Sequence, residues 1–471
     1  LSTAGEEYLY ALMRQPVFDN DTLAKRNAVI DYLKENDALR SMLQLHLALL
    51  GKQEDLNVTD YLYGKQKKSS SFNIYLYRLL SCVAIISPIL ALLKPNVGVP
   101  IAAVSFFINM TVYYKAKNEA NSQLEALNYI VRMVNCAKKI STLESEELSE
   151  YTESLKESYK KVKAVNKRAF TLFYQSGDVL VEYGKIALLK ELIDYEVVFS
   201  FISNHRDDLL KIYETIGLLD SLTAIASYRV YVDDYCVPDL KPANGKLPLY
   251  LNFTDIRHPL IKKPVPNSLT TQKSVLITGS NASGKSTFLK ATAINAIFAQ
   301  TICTCLAKSY ESAFFKVYSS MALKDSIVNN ESYYIAEIKS LKRIIDATDS
   351  SIPCLCFIDE VLRGTNTIER IAASSEVLYY LSGRNCLCVA ATHDIELTKI
   401  LEAHFDNYHF QETFTDDEIK FDYKLYNGRS TSRNAIKLLK FMGYNEAIVE
   451  KAEKRAEGFM KDGLWSNIPP L

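Results

Sequence analysis

One stretch leaves this chain few choices of fold: Ser274-Val275-Leu276-Ile277-Thr278 runs directly into Gly279-Ser280-Asn281-Ala282-Ser283-Gly284-Lys285-Ser286. The first five residues read as a short buried strand. The next fit G-x4-G-K-[ST], and Thr287 to Gln300 reads as the helix that follows. Strand, glycine loop and helix in that order predict an α/β domain, because the loop must present its backbone N–H groups to phosphate at a helix N-terminus. The glycines let the backbone wrap the phosphates, Lys285 neutralises the β- and γ-phosphates, and the Ser286 hydroxyl ligates Mg²⁺. Gly279 through Thr287 is therefore expected to hold ATP with Mg²⁺.

Two more apolar runs end in reactive side chains. Leu355-Cys356-Phe357-Ile358 leads to Asp359-Glu360, where a P-loop ATPase keeps an acid pair. Asp359 is expected to hold Mg²⁺ through water and Glu360 to act as the general base on the attacking water. Leu387 to Thr392 delivers His393-Asp394, and a histidine at a strand end facing the γ-phosphate can sense it by hydrogen bonding. On its own His393 would read as structural; beside the P-loop it gains a function.

Three Cys-x-Cys pairs, Cys303/Cys305, Cys354/Cys356 and Cys386/Cys388, lack the C-x2-C spacing of structural zinc. The last two pairs lie in strands, where alternate residues share a face and cysteine packs as a small hydrophobe. Buried thiols in a reducing compartment are the expectation.

With 471 residues and 48% apolar composition, the chain can bury two or three cores. Lys plus Arg and Asp plus Glu balance at 55 each, so no global field draws it to nucleic acid, and any DNA contact must be local. The sequence opens at Leu1 and shows no signal peptide, which reads as a truncated start.

Residues 1–71 read as helices, with Leu9, Leu12, Met13 and then Val29, Ile30, Leu33 at helical spacing on either side of Pro16. Phe72 to Leu93 carries only Arg78 as a charge; after the turn Lys94-Pro95-Asn96, Val97 to Tyr114 carries none. Residues 72–114 are expected to form a two-helix hairpin inserted in a membrane, the second helix short at about 27 Å. Lys65, Lys67 and Lys68 on one side and Lys115 and Lys117 on the other place both ends in the cytoplasm. The competing reading is a buried hairpin of a soluble bundle, suggested by Asn109, Pro88 and Pro100. Residues 115–235 read as a helical lever, with Leu124, Leu127, Val131 and Val134 as its apolar stripe. The run Lys160, Lys161, Lys163, Lys167, Arg168 is open to two readings, a contact to lipid or nucleic-acid phosphates and a solvated helix face, and nearby glutamates favour the second. From Cys236 onward, prolines and alternating apolar residues open the α/β domain, 236–471.

The ordered motifs of that domain resemble the MutS mismatch-repair ATPases, a branch of the ABC ATPases. Thr278 to Thr287 is similar to that family's P-loop, although Ser280-Asn281-Ala282-Ser283 replaces its usual Pro-Asn-Met-Gly. Asp359-Glu360-Val361-Leu362-Arg363-Gly364-Thr365-Asn366-Thr367 is close to its Asp-Glu-x-x-Arg-Gly-Thr-Ser-Thr, and Ala391-Thr392-His393 resembles its switch histidine. Ser332 to Ile338 resembles its signature loop, whose serine reaches the nucleotide of a dimer partner. Arg257-His258-Pro259 is similar to the segment near the adenine, so His258 is implied in nucleotide binding. Gly428 to Ala452 resembles its helix-turn-helix dimerisation element, and Ser2 to Leu33 more weakly resembles the start of its core domain. Neither a Phe-x-Glu mismatch-reading module nor a clamp domain is found in the sequence, and an apolar hairpin interrupts the helical core.

The resemblance implies a homodimer in which Ser332 of one subunit completes the ATP site of the other, with catalytic Glu360 and His393. ATP binding would close the helical levers, at the cytoplasmic face of a membrane if the hairpin inserts and in the cytoplasm otherwise. Three other readings compete. One is a soluble DNA-repair protein on mismatched or branched DNA; another is an ATP-binding scaffold with little hydrolysis. The third, an ABC transporter subunit, is disfavoured because two spans are few and no Leu-Ser-Gly-Gly-Gln occurs.

Overall fold

The computed structural model describes residues 1–53, 62, 71–166, 169, 179–243, 248–280, 283–321, 333–414, 419–430, 435–463, 465 and 467–468. They form two compact units, one of Leu1–Leu12 with Arg26–Tyr231 and one of Met13–Lys25 with Val232–Leu471. Lys65, Lys67, Lys68, Lys167 and Arg168 lie outside the described residues.

The first unit is helical, with α1 (Thr3–Arg14), α2 (Asn20–Glu35), α3 (Asp37–Leu50), α4 (Ser71–Leu93), α5 (Pro95–Ile140), α6 (Ser149–Val162), α7 (Val179–Ala187), α8 (Lys190–Asn204) and α9 (Arg206–Val232). In α3 the buried residues Leu39, Leu43, Leu47 and Leu50 recur at three or four positions and make one apolar stripe, and Asn36 caps the Leu39 amide. The lower part of α5 buries Leu127, Ile130, Val134 and Ala137; Val131 lies beside this stripe, half-buried, because the straight 3.6-residue period drifts past it. Arg229 of α9 is fully buried and gives its guanidinium protons to Asp31 and Asn27, which replace the water it loses.

The α4–α5 hairpin differs from the sequence expectation in one respect. The apolar run stops at Tyr114, but the helix does not: no Gly or Pro follows Pro100, and α5 continues to Ile140. The change at 114 is one of surface chemistry. At the turn, a Cβ on Gly98 would lie 2.1 Å from the Ala91 nitrogen, so only glycine lets the two backbones approach this closely. The base of the hairpin packs its Tyr77, Leu80 and Tyr113 against Leu189 and Leu192 of the unit. Asn109 is buried there and donates to the carbonyls of Leu80 (3.4 Å) and Ala187 (2.7 Å), which accounts for a polar residue in an apolar run. Beyond that level the apolar side chains point outward; Ile86, Leu92, Leu93 and Phe107 are all exposed. From Leu80 to Leu93 this free arm is about 20 Å long at 1.5 Å per residue.

The second unit contains β1 (Asp239–Lys241), β2 (Leu251–Ile256), β3 (Asn267–Thr271), β4 (Ser274–Thr278), α10 (Lys285–Thr301), β5 (Ser309–Ala313), β6 (Lys316–Ser320) and α11 (Tyr333–Ala347). It continues with β7 (Cys354–Asp359), α12 (Thr367–Ser382), β8 (Cys386–Thr392), α13 (Ile395–Ile400), β9 (Phe405–Phe414), β10 (Ile419–Asn427), α14 (Ala435–Phe441) and α15 (Glu446–Asp462). The larger sheet runs β10-β9-β4-β8-β7-β6, parallel except for β10, and the smaller runs β1-β5-β2-β3.

Strands β4, β7 and β8 are uncharged up to Asp359 because both faces of their sheet are covered. Val275, Ile277, Leu355, Phe357 and Val389 point to one side, toward Phe288 and Leu289 of α10. Leu276, Ile358 and Ala390 point to the other, toward Leu341 of α11 and Leu378 of α12. Cys354, Cys356, Cys386 and Cys388 share that second face, as the two-residue period requires. Burial pushes the Cys354 thiol up to about 11, and Cys356 and Cys386 place their sulfurs 3.3 Å apart. The segment around Pro16 belongs to this unit: the Val17 amide donates to the Gln300 carbonyl, and Phe18 meets Phe314 edge-on.

Candidate functional site

Strands β4, β8 and β7 are neighbours pointing the same way, so their carboxyl ends open onto one crevice. That register brings Gly279, His393 and Asp359-Glu360 together although more than a hundred residues separate the first two in sequence.

The loop after β4 is built to surround something. Gly279 (φ +149°) and Gly284 (φ +110°) hold backbone angles that side chains resist. A Cβ on Gly279 would lie 2.9 Å from the Phe410 carbonyl and from Ser283 Oγ. Ser283 is buried, and its hydroxyl has no partner among the described residues. Gly284 caps α10, which begins at Lys285 rather than two residues later as the sequence suggests. Lys285 is 5% exposed, and its Nζ donates to the carbonyls of Gly279 (2.7 Å) and Ser280 (2.8 Å), with His393 Nε2 at 3.4 Å. Burial pushes its ammonium down to about 8, against the pull of Glu360, Asp359 and Glu412. A buried cation served by loop carbonyls, an unpartnered hydroxyl and a glycine cradle fit a phosphate chain. The oxygens of Ser286 and Asp359 fit a hard divalent cation.

Glu360 is half-buried at the start of the turn after β7. Its carboxylate meets His393 Nε2 at 3.0 Å and Arg363 at 2.9 Å, and its amide donates to the Ala391 carbonyl at 2.9 Å. The hydrogen bond from His393, helped by the charges of Arg363 and Lys285, holds its carboxyl below the usual range. Arg370 of α12 grips Asp394 through two bonds of 2.8 and 2.6 Å, fixing the residue beside His393.

Next to the loop lies a pocket of about 240 Å³ that His258, Asn267, Thr287, Phe288, Phe410 and Tyr423 help to line. His258 Nδ1 accepts the Leu260 amide, and burial with Lys290 nearby keeps its imidazole below the ordinary range. Tyr423 has φ +55° within an irregular stretch of β10, which carries its ring to within contact of Gly284.

Residues 275–460 match the family described as MutS domain V. In this segment the chain is similar to the MutS family. A DNA mismatch repair protein MutS from Natronomonas pharaonis is 30% identical over 266 residues, which cover 54% of this chain and 29% of that protein. Proteins of the same name from Thermotoga petrophila and Thermus thermophilus are 27% and 29% identical, over 60% and 44% of this chain and 37% and 27% of their own lengths. The chain thus spans about a third of these MutS relatives.

Within and beside the matched segment the structure gathers Gly279, Ser280, Ser283, Gly284, Lys285, Ser286, Thr287, Asp359, Glu360 and His393 at one crevice, with His258 in the adjoining pocket. Asn281, Ala282 and Ser332 lie outside the described residues. The resemblance presents Ser332 to Ile338 as a loop, but α11 already starts at Tyr333, because Tyr334, Leu341, Ile344 and Ile345 recur at helical spacing toward the sheet. The sequence places Glu337 in the signature-like segment without giving it a role, and it marks neither Arg370 nor Tyr423. Arg370 and Glu337 act through long-range partners no motif displays, and Tyr423 enters by an irregularity in β10.

Proposed function

We propose that the chain is a MutS-type ATPase that works as a homodimer, each subunit binding ATP with Mg²⁺ along Gly279 to Thr287. The observation that carries this reading is that Lys285, His393 and Glu360 share one set of contacts at the mouth of the glycine loop. Lys285 leaves the loop carbonyls to neutralise phosphate oxygens. Ser286 and Asp359 would hold Mg²⁺, which would offset the negative charge of the phosphates. His393 turns from Glu360 to the terminal phosphate, which frees Glu360 to take a proton from the attacking water. The pocket at His258 and Tyr423 takes the base. Ser332 of one subunit completes the site of the other, and closure moves the helical levers. Exposed Met442, Tyr444 and Ile448 around α14 and α15 support a dimer contact in this part of domain V. Phosphate release by the intact chain tests the reading: turnover that needs both Mg²⁺ and Lys285 supports it, and equal release by the Lys285→Ala chain overturns it.

The α4–α5 hairpin is proposed to enter a membrane from its cytoplasmic face. Two helices qualify for this by length and apolar content, Asn73–Leu93 and Pro95–Ala116, and their outer surfaces are exposed. The Lys190–Asp194 ion pair flanks Leu192, which packs at the base of the hairpin. A free arm of about 20 Å is shorter than a hydrocarbon core of about 30 Å, so the hairpin dips into the bilayer and returns. Flotation of the intact chain with phospholipid vesicles tests this, and recovery of the chain from the bottom fraction at every salt concentration overturns it.

A second reading is favoured by the relatives, which are DNA mismatch repair proteins: that this chain acts on mismatched or branched DNA. Gel shifts over a salt series test it, and the absence of any salt-dependent shift removes it.

A further inference from the structure

The turn that carries Glu360 is held from beneath by α11. Glu360 (φ +60°) and Leu362 (φ +56°) both occupy the left-handed region, an arrangement that persists only where surrounding structure fixes it. Glu337, in the second turn of α11, is 2% exposed, and its Oε1 accepts the Leu362 amide. Its Oε2 is buried without a hydrogen-bond partner among the described residues. One turn earlier, Tyr334 lies under Gly364, where an added Cβ would stand 2.9 Å from the tyrosine Cβ. Ser374 of α12 donates to the Val361 carbonyl and holds the turn from the other side. A carboxyl kept in so dry a place is costly unless its accepted hydrogen bond matters, and burial pushes its proton affinity up.

We infer that Glu337 is a positioning residue for Glu360. By accepting the Leu362 amide it fixes the left-handed turn, aims the Glu360 carboxylate at His393 and Lys285, and makes the turn move with α11. The inference rests on the ATPase reading above.

The test compares wild type, Lys285→Ala, Glu337→Gln and Glu337→Met in full-length protein, measuring Tm, Kd for ATP and kcat at saturating ATP. Glutamine keeps an oxygen for the Leu362 amide, so kcat stays within about threefold of wild type. Methionine fills the space without that acceptor; kcat falls about tenfold or more while Kd stays within about twofold, the pattern of a misplaced group. If the methionine chain does not fold, Glu337→Asp, whose carboxylate is withdrawn by one methylene, takes its place with the same expected split. A methionine or aspartate chain with wild-type kcat, whatever its Tm, overturns the inference, and so does a glutamine chain as slow as methionine. A wild type that does not turn over ATP beyond the Lys285→Ala chain overturns the ATPase reading and this inference together.

Discussion

Glu360 and His393 are hydrogen-bonded at 3.0 Å, and the same imidazole nitrogen stands 3.4 Å from the Lys285 ammonium. The proposed base is therefore tied to the proposed phosphate sensor in this state. A carboxylate stabilised by a donor is a weaker base, so the contact restrains Glu360 until His393 finds another partner.

Replacing Glu360 by Gln keeps the shape of the turn and removes the base. Turnover is expected to fall by about 10²–10⁴-fold, the usual contribution of a positioned general base, with Kd for ATP changed by less than about threefold. Phosphate release and equilibrium binding on the same preparation check it; equal rates in the two chains would refute the assignment.

Lys285 gives ATP binding a pH dependence whose sign is fixed. Phosphate favours the ammonium form, and burial has already lowered its pKa to about 8 in the free protein. Affinity is therefore full below that value and is lost as pH rises through it. Calorimetric titration is expected to show a flat Kd from about pH 6.5 to 7.5 and a rise approaching tenfold per unit above about 8.5. The Lys285→Ala chain is expected to bind about 10- to 100-fold more weakly with no such slope.

Gly279 tolerates no side chain, because a Cβ there meets the Phe410 carbonyl and Ser283 Oγ at 2.9 Å. Gly279→Ala is expected to lose about 1–3 kcal/mol of stability and most ATP affinity. Thermal unfolding and binding read these separately, and a variant that binds ATP like wild type would show the loop to be less tightly specified.

Much of the second unit was legible because its central strands are short apolar runs ending in charged or small residues. Ser274–Thr278 appears as the strand the sequence predicts, and the Cys-x-Cys pairs reveal which residues share a face. What the sequence did not show lies in tertiary contacts. Nothing local marks Glu337 as the acceptor of an amide twenty-five residues away, and an irregular strand hides Tyr423 from any period-two reading. The hairpin was legible as apolar, but the fixed level of its base depends on Asn109 finding the Ala187 carbonyl, a pairing seventy-eight residues apart.

Ile86 and Phe107 face outward on the free arm. Replacing both by Asp places charge where the hairpin is proposed to meet hydrocarbon, at a cost that rises with depth to roughly 2.5–3.5 kcal/mol per charge at the bilayer centre. The double variant is expected to keep its helicity and its ATP turnover in solution and to lose vesicle flotation. Undiminished flotation would show that these helices do not enter lipid.

The most direct test of a composite dimer site is turnover by an equal mixture of two inactive chains, Lys285→Ala and Ser332→Ala, each measured alone and together. In a heterodimer one site joins an intact glycine loop to the partner's intact Ser332, and the other site carries both lesions. With random pairing the mixture is expected to recover about a quarter of the wild-type rate. A mixture no faster than the average of its two components would contradict sites shared between subunits.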